Sequence, residues 1–282
     1  MRDKIIPENL EQLKLLVIQE MNEYGDECDL NHIDTSKITE MISLFSYSKF
    51  NGNISKWDTS QVEDMQCMFY SSDFDGDISN WNISNVKDIS YMFNNSKFNQ
   101  NISNWDTSNI VNMKSTFKES DFNQDILNWD VSKVVNMFAM FHTSAFNGDI
   151  SKWNTSNIEI MSYMFSHSKF NNDISNWNMK SVVKMDNIFS YSHFNQDISR
   201  WDVSNVQSMY ESFAYSQFAQ DLTSWKPTSL IENDRMFMLC RATQPYWAKT
   251  QDTPAAVRKY YLNKELESSL IDKEFQSKRL KL

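Results

Sequence analysis

With 282 residues, 40% of them hydrophobic and 14% aromatic, the chain is long and apolar enough to bury a sizeable core, which excludes a disordered polypeptide. Its 27 Lys and Arg against 37 Asp and Glu leave a net charge of -10, which argues against a general affinity for nucleic acid or for membrane surfaces. Three cysteines, Cys28, Cys67 and Cys240, have neither CxxC nor Cys/His spacing, so neither a disulfide framework nor a zinc site is expected.

In chain order, residues 1–28 predict an N-terminal helical cap. Within "IPENLEQLKLLVIQEMNEYG", Leu10, Leu13, Leu16 and Val17 share one helical face, and Pro7 suits a helix start. The segment has no apolar run of signal length, and no later segment approaches a membrane span. The expectation is a cytoplasmic protein without membrane insertion; the alternative is secretion or surface display by a signal-independent route.

Residues 29–240 are periodic. Tryptophans stand at 57, 81, 105, 129, 153, 177, 201 and 225, and one period upstream Ile33 marks a degenerate first copy. Phe45, Phe69, Phe93, Phe117, Phe141, Phe165, Phe189, Phe213 and Phe237 form a second column, and Phe50, Phe74, Phe98, Phe122, Phe146, Phe170, Phe194 and Phe218 a third. Val62, Met65, Met68 and Phe69 are spaced as one helical face, with Ser60, Ser84, Ser108, Ser132, Ser156 and Ser204 at its expected N-cap. The run Ile78 to Ile83 alternates as a short strand. One such copy buries too little apolar surface to fold alone, so the copies are expected to stack as an α/β solenoid of eight to nine 24-residue repeats, short parallel strands on one side and helices on the other.

The order F-N-x-D-I-S-x-W-D-x-S-x-V-x-x-M-x-x-M-F, as in "FNQDISRWDVSNVQSMYESF" and "FNGDISKWNTSNIEIMSYMF", resembles the repeat of the BspA-like leucine-rich-repeat family in its Trp-containing bacterial form, over roughly residues 29–240. That resemblance implies a right-handed LRR-like solenoid, and bacterial surface or secreted proteins that bind other proteins. It brings no catalytic residues. From Arg241 to Leu282 the period reads as lost, and "TPAAVRKYYLNKELESSLIDKEF" after Pro254 predicts the helix of a C-terminal cap, 241–282.

Four sets of residues invite a functional reading. Asn53, Asp77, Asn101, Asp125, Asp149, Asp173, Asp197 and Asp221 read as turn-capping side chains, with calcium between stacked carboxylates as the alternative. The methionine columns read as core. The outward helix positions Tyr91, Val111, Val135, Phe138, Ile160, Tyr163, Val183 and Tyr210 are apolar or aromatic where a solvated face needs charge. His142, His167 and His193 fall in turns at three different offsets; they read as exposed turn residues, or with nearby tyrosines as a protein-binding rim. No nucleophile motif, phosphate loop or acid/base pair stands out from the repetition. The expectation is therefore a non-enzymatic protein-protein interaction module without cofactor or metal, an intracellular bacterial adaptor, inhibitor or immunity-type protein; the alternative is a surface or delivered virulence protein that binds host molecules. The sequence leaves the partner and the oligomeric state open.

Overall fold

A computed structural model describes residues 4–249 of the chain. The run from Met65 to Ser72 shows how a copy is built. The amides of Met68, Tyr70 and Ser72 donate to the carbonyls of Met65, Cys67 and Phe69, at 3.2, 3.1 and 3.3 Å, which makes three consecutive tight turns. Cys67 and Ser71 occupy the third position of the first and last turn with positive φ, as a type II turn requires. The arrangement recurs from Ser43 and Tyr47 to Arg235 and Leu239, with φ between 50 and 62°.

Left-handed backbone is costly for residues with a Cβ, and this chain has four glycines in all. Inter-copy hydrogen bonds offset that cost. Met65, Cys67, Phe69 and Ser71 send their amides sideways to the carbonyls of Asp88, Ser90, Met92 and Asn94 in the next copy, at 3.0, 2.9, 2.9 and 2.8 Å. A helix would have kept those amides on its own axis.

These bonds overturn the expected α/β solenoid. The helix over Val62 to Phe69 is replaced by the turn run. Ser60 is no N-cap: its amide donates to Asp58 Oδ1 at 2.9 Å, as Ser84, Ser108, Ser132, Ser156 and Ser204 do to the Asp or Asn two residues before each. The strand over Ile78 to Ile83 is broken by a turn in which the Trp81 amide meets the Ile78 carbonyl at 3.1 Å. Isolated parallel bridges such as Asp64 with Asp88 join the copies, and among the described residues no sheet forms. The repeats are a stack of turn-rich coils, without LRR-like strands or helices.

The aromatic columns pile like on like. Phe69 lies 5.6 Å from Phe93, Phe74 lies 6.3 Å from Phe98, and Trp105 lies 6.3 Å from Trp129, all with nearly parallel ring planes. Within a copy Phe69 and Phe74 stack at 4.4 Å. Each periodic Trp also donates its Nε1 proton to the carbonyl 27 residues earlier, from Trp57 to Leu30 at 3.0 Å through Trp225 to Ile198 at 3.0 Å. Each periodic indole is thus both packed and hydrogen-bonded.

Polar ladders run alongside. Asn51 Oδ1 accepts the Asp75 amide at 2.8 Å, Asp75 accepts from Asn99, and the chain of acceptors continues to Asn195 and Ala219. The Asn53 to Asp221 column accepts from the amide two residues on, as Asp149 does from Ser151 at 2.9 Å. Its oxygens therefore serve as turn caps. Those amides hold the carboxyls of Asp77, Asp149 and Asp197 below the usual range.

At the N-terminal end α1 spans Leu10–Tyr24, with Asn9 accepting from the Gln12 amide as N-cap. Its Leu10, Leu13 and Val17 join the core, and Leu16 packs partly against it. Ile5 pairs with Ile33, and Lys4 lies 2.7 Å from Asp34, whose carboxyl is lowered to about 2 mainly by that hydrogen bond. At the far end the short α2, Tyr246–Lys249, places Trp247 6.4 Å from Trp225, so the tryptophan outside the period still extends the column. The helix expected after Pro254 lies outside the described residues.

Candidate interaction surface

The turn run points Met65, Met68, Phe69 and Ser72 inward and leaves Gln66, Cys67, Tyr70 and Ser71 partly exposed outside. Outer positions of successive copies form one ridge. Tyr47 meets Tyr70 edge-on at 5.2 Å. Farther along, the Lys114 ammonium lies 5.4 Å from the Tyr91 ring and 5.5 Å from that of Phe138. Phe138 then meets Tyr163 at 5.5 Å, Tyr163 meets His142 at 6.1 Å, and His142 meets His167 at 5.5 Å. His167 stacks on Tyr191, and Tyr191 on Tyr215, each at 4.5 Å.

Tyr91, Phe138, Tyr163, His142 and His167 therefore belong to one stripe; it is built on turns, where outward helix faces were expected for Tyr91, Phe138 and Tyr163. Different offsets did not keep two of the histidines apart, because they are the two central positions of the equivalent turn in neighbouring copies, 141–144 and 165–168. Tyr210 occupies the same outer position as Phe138, three copies on, but stands beside Glu211, which raises its phenol pKa by hydrogen bonding. Val111, Val135 and Val183 form a separate column before the turn run: the Val135 amide donates to Val111 at 2.9 Å, and Glu159 stands between Val135 and Val183. Ile160 lies next to that column and bridges Asn136 and Lys184. Of these four only Val111 is exposed, at 43%, the others being half-buried. His193 is exposed on the other flank, its Nδ1 3.5 Å from the Ser168 carbonyl.

Two polar features of the ridge depart from the period. His142 Nδ1 is buried with no hydrogen-bond partner. Burial first, then Lys118 and His167, lower its imidazole to about 4, so the ring is neutral at pH 7. Asp186 is the second. In copies whose column carries Asp64, Asp88, Asn112 or Asn136, that side chain accepts from the amide two residues on. Ile160 and Lys184 cannot do this, and Asp186 instead accepts from the Tyr210 amide at 3.0 Å and from the Ser208 hydroxyl. Sequence reasoning passed over Lys114 and Asp186; for Asp186 the available signal was the loss of Asx at 160, 184 and 208.

Among the described residues no group of three or more His, Cys, Asp or Glu side chains is arranged to hold a metal, and none of the helices is long and apolar enough to cross a membrane.

A family model described as Mycoplasma protein of unknown function, DUF285, matches residues 17–121, 73–169, 94–193 and 142–250. The four matches overlap, as those of a repeat protein do, and together run from α1 through α2. No curated protein and no solved structure matches the chain.

Proposed function

The chain belongs to the DUF285 repeat family, and from that premise we propose that it is a non-enzymatic protein-binding module whose contact surface is the aromatic and histidine ridge from Tyr91 to Tyr215. The observation that carries this reading is the continuity of half-exposed rings across successive copies, from Phe138 through Tyr163, His142, His167 and Tyr191 to Tyr215. Aromatic side chains give large contact area at low conformational-entropy cost, and contact surfaces are enriched in them. A ladder-bonded backbone holds them in a fixed array, which reduces the ordering cost of binding.

Cys67 and Cys240 are free thiols, which suits a reducing compartment, and the partner is proposed to be a protein of the producing cell, with this chain as its adaptor, inhibitor or immunity-type antagonist. The resemblance of the repeat to the BspA-like family favours a second reading, a surface-displayed or delivered protein that contacts host molecules.

The test is affinity capture from lysate with the native chain, a Tyr163→Ser/Tyr191→Ser variant and a Lys152→Ser control away from the ridge. The expected result is a partner retained by the native chain and the control and lost by the ridge variant. A ridge variant that captures the same partner undiminished would overturn the proposal. Fractionating the producing cell separates the two readings: recovery solely in the culture medium rules out the intracellular one.

A further inference from the structure

Between Tyr91 and Tyr215 the ridge carries little charge. The turn runs 89–96, 113–120, 137–144 and 161–168 hold, besides His142 and His167, the charged side chains Lys114, Lys118 and Glu119. The Lys118 ammonium lies 3.2 Å from Glu119, which balances it. Farther along, Arg235 lies 3.5 Å from Glu211, and Asp186 accepts from the Tyr210 amide. Lys114 has no such balance. Its ammonium stands over the Tyr91 and Phe138 rings, all three residues half-buried, and among the described residues no carboxylate pairs with it. Asp88, in the column beside it, is taken up by the Ser90 amide at 2.7 Å and the Asn112 side chain at 2.8 Å.

We propose, resting on the reading of the ridge as the contact surface, that its protein partner presents a carboxylate to Lys114, on a segment whose neighbouring apolar or aromatic side chains lie on Tyr91, Phe138 and Tyr163. Ring faces hold an ammonium in place within about 6 Å but give its N–H groups no strong acceptor. A carboxylate supplies one, in a charge-assisted bond to a group the rings have already oriented. A partner that covers Lys114 with a neutral or basic group strips water from the ammonium without replacing it, so the lysine also selects. The local field has the fitting sign. Burial first, then Lys118 and His167, hold the His142 imidazole low, with Glu119 opposing them as the smallest cause. Charges more than about 8 Å apart are largely screened at physiological salt, so the net charge of -10 does not decide this contact. A phosphate group fits less well. Phosphate sites are built from free backbone amides and arginine forks. Here the amides of Lys114, Ser115, Phe117, Lys118 and Glu119 are already bonded, to the Asn112 side chain and to the carbonyls of Phe138, Met140, Ser115 and His142.

The test selects a phage-displayed library of random twelve-residue peptides on the native full chain. Enriched peptides are expected to carry Asp or Glu beside an aromatic or aliphatic residue. They are expected to bind Lys114→Met about tenfold more weakly, to keep their affinity for Lys114→Arg and for the Lys152→Ser control, and to lose it for Tyr163→Ser/Tyr191→Ser. Changing the peptide's acidic residue to Asn or Gln is expected to cost as much as Lys114→Met, and nothing further in that variant. Peptides that the tyrosine variant loses but Lys114→Met binds undiminished, or that lack acidic residues, would overturn this inference and leave the ridge reading standing. Peptides indifferent to both variants, or no enrichment at all, would sink the two together. A single-stranded oligonucleotide that displaces the peptides with the same dependence on Lys114 would assign the site to phosphate instead. Self-association of the native chain that Lys114→Met abolishes would overturn the proposal in favour of a second copy.

Discussion

At the scale of single residues, each periodic tryptophan has two separable roles. Trp129 is 3% exposed, stacks on Trp105 at 6.3 Å, and donates to the Ile102 carbonyl at 3.1 Å. Trp129→Ala removes packing and hydrogen bond together and is expected to destabilise the chain by about 3 to 5 kcal/mol. Trp129→Phe keeps a ring in the column and strands the carbonyl, an expected loss of about 1 to 3 kcal/mol. Urea denaturation of both variants checks the order; equal losses would mean that the hydrogen bond contributes as much as the whole indole. His142 gives the second prediction. Its folded pKa of about 4 lies below the ordinary value of 6.5, so the unfolded chain takes up the proton first as pH falls. The contribution is intact above pH 6.5 and is lost between there and about 4. His142→Phe is expected to flatten the dependence of melting temperature on pH across that window, and an unchanged slope would show that His142 is solvated.

At the scale of the element, the turn run explains both what the sequence revealed and what it concealed. Three consecutive turns bury Met65, Met68, Phe69 and Ser72, and an α-helix would bury the same offsets. Periodicity alone cannot separate the two backbones. The separating facts are the positive φ values and the sideways amides, and neither leaves a residue-type mark: the left-handed position of Cys67 is held in other copies by Ser43, Tyr91, Ala139, Asn187 and Arg235. The core columns were legible because a strict period forces like side chains together. The histidine contact was concealed because it depends on how two positions of one turn lie in space. Left-handed backbone also predicts a stabilising change. Ala139 sits at φ 53 and is buried. Ala139→Gly is expected to gain about 1 kcal/mol, since glycine adopts that conformation without a Cβ penalty of about 1 to 2 kcal/mol, less its own chain entropy. Ala139→Val is expected to lose stability. Melting curves of the two variants decide, and a loss in both would mean that the Ala139 methyl group matters more than its backbone.

At the scale of the whole molecule, the copies interact with neighbours through bonds spanning 23 to 27 residues, such as Met113 to Asn136 and Trp153 to Ile126. Stability should therefore depend on register more than on length. Deleting residues 123–146 joins Phe122 to Asn147, and Asn147 then takes the place of Asn123 against the Asn99 side chain, which accepts the Asn123 amide at 2.9 Å. Every column continues, so the shortened chain is expected to unfold in one transition with a urea m-value lower by about one tenth, in proportion to the surface removed. Deleting only residues 123–138 removes less chain but shifts the columns. Asn147 would fall in the buried column of Val131 and Phe146 at the exposed position of Asp130, which buries an amide without its partner and exposes a core ring. That smaller deletion is expected to abolish the cooperative transition and the near-ultraviolet signal of the stacked indoles. Retention of both signals in the smaller deletion, or loss of both in the larger, would show that the stack tolerates misregister and that the like-on-like columns are not what holds it together.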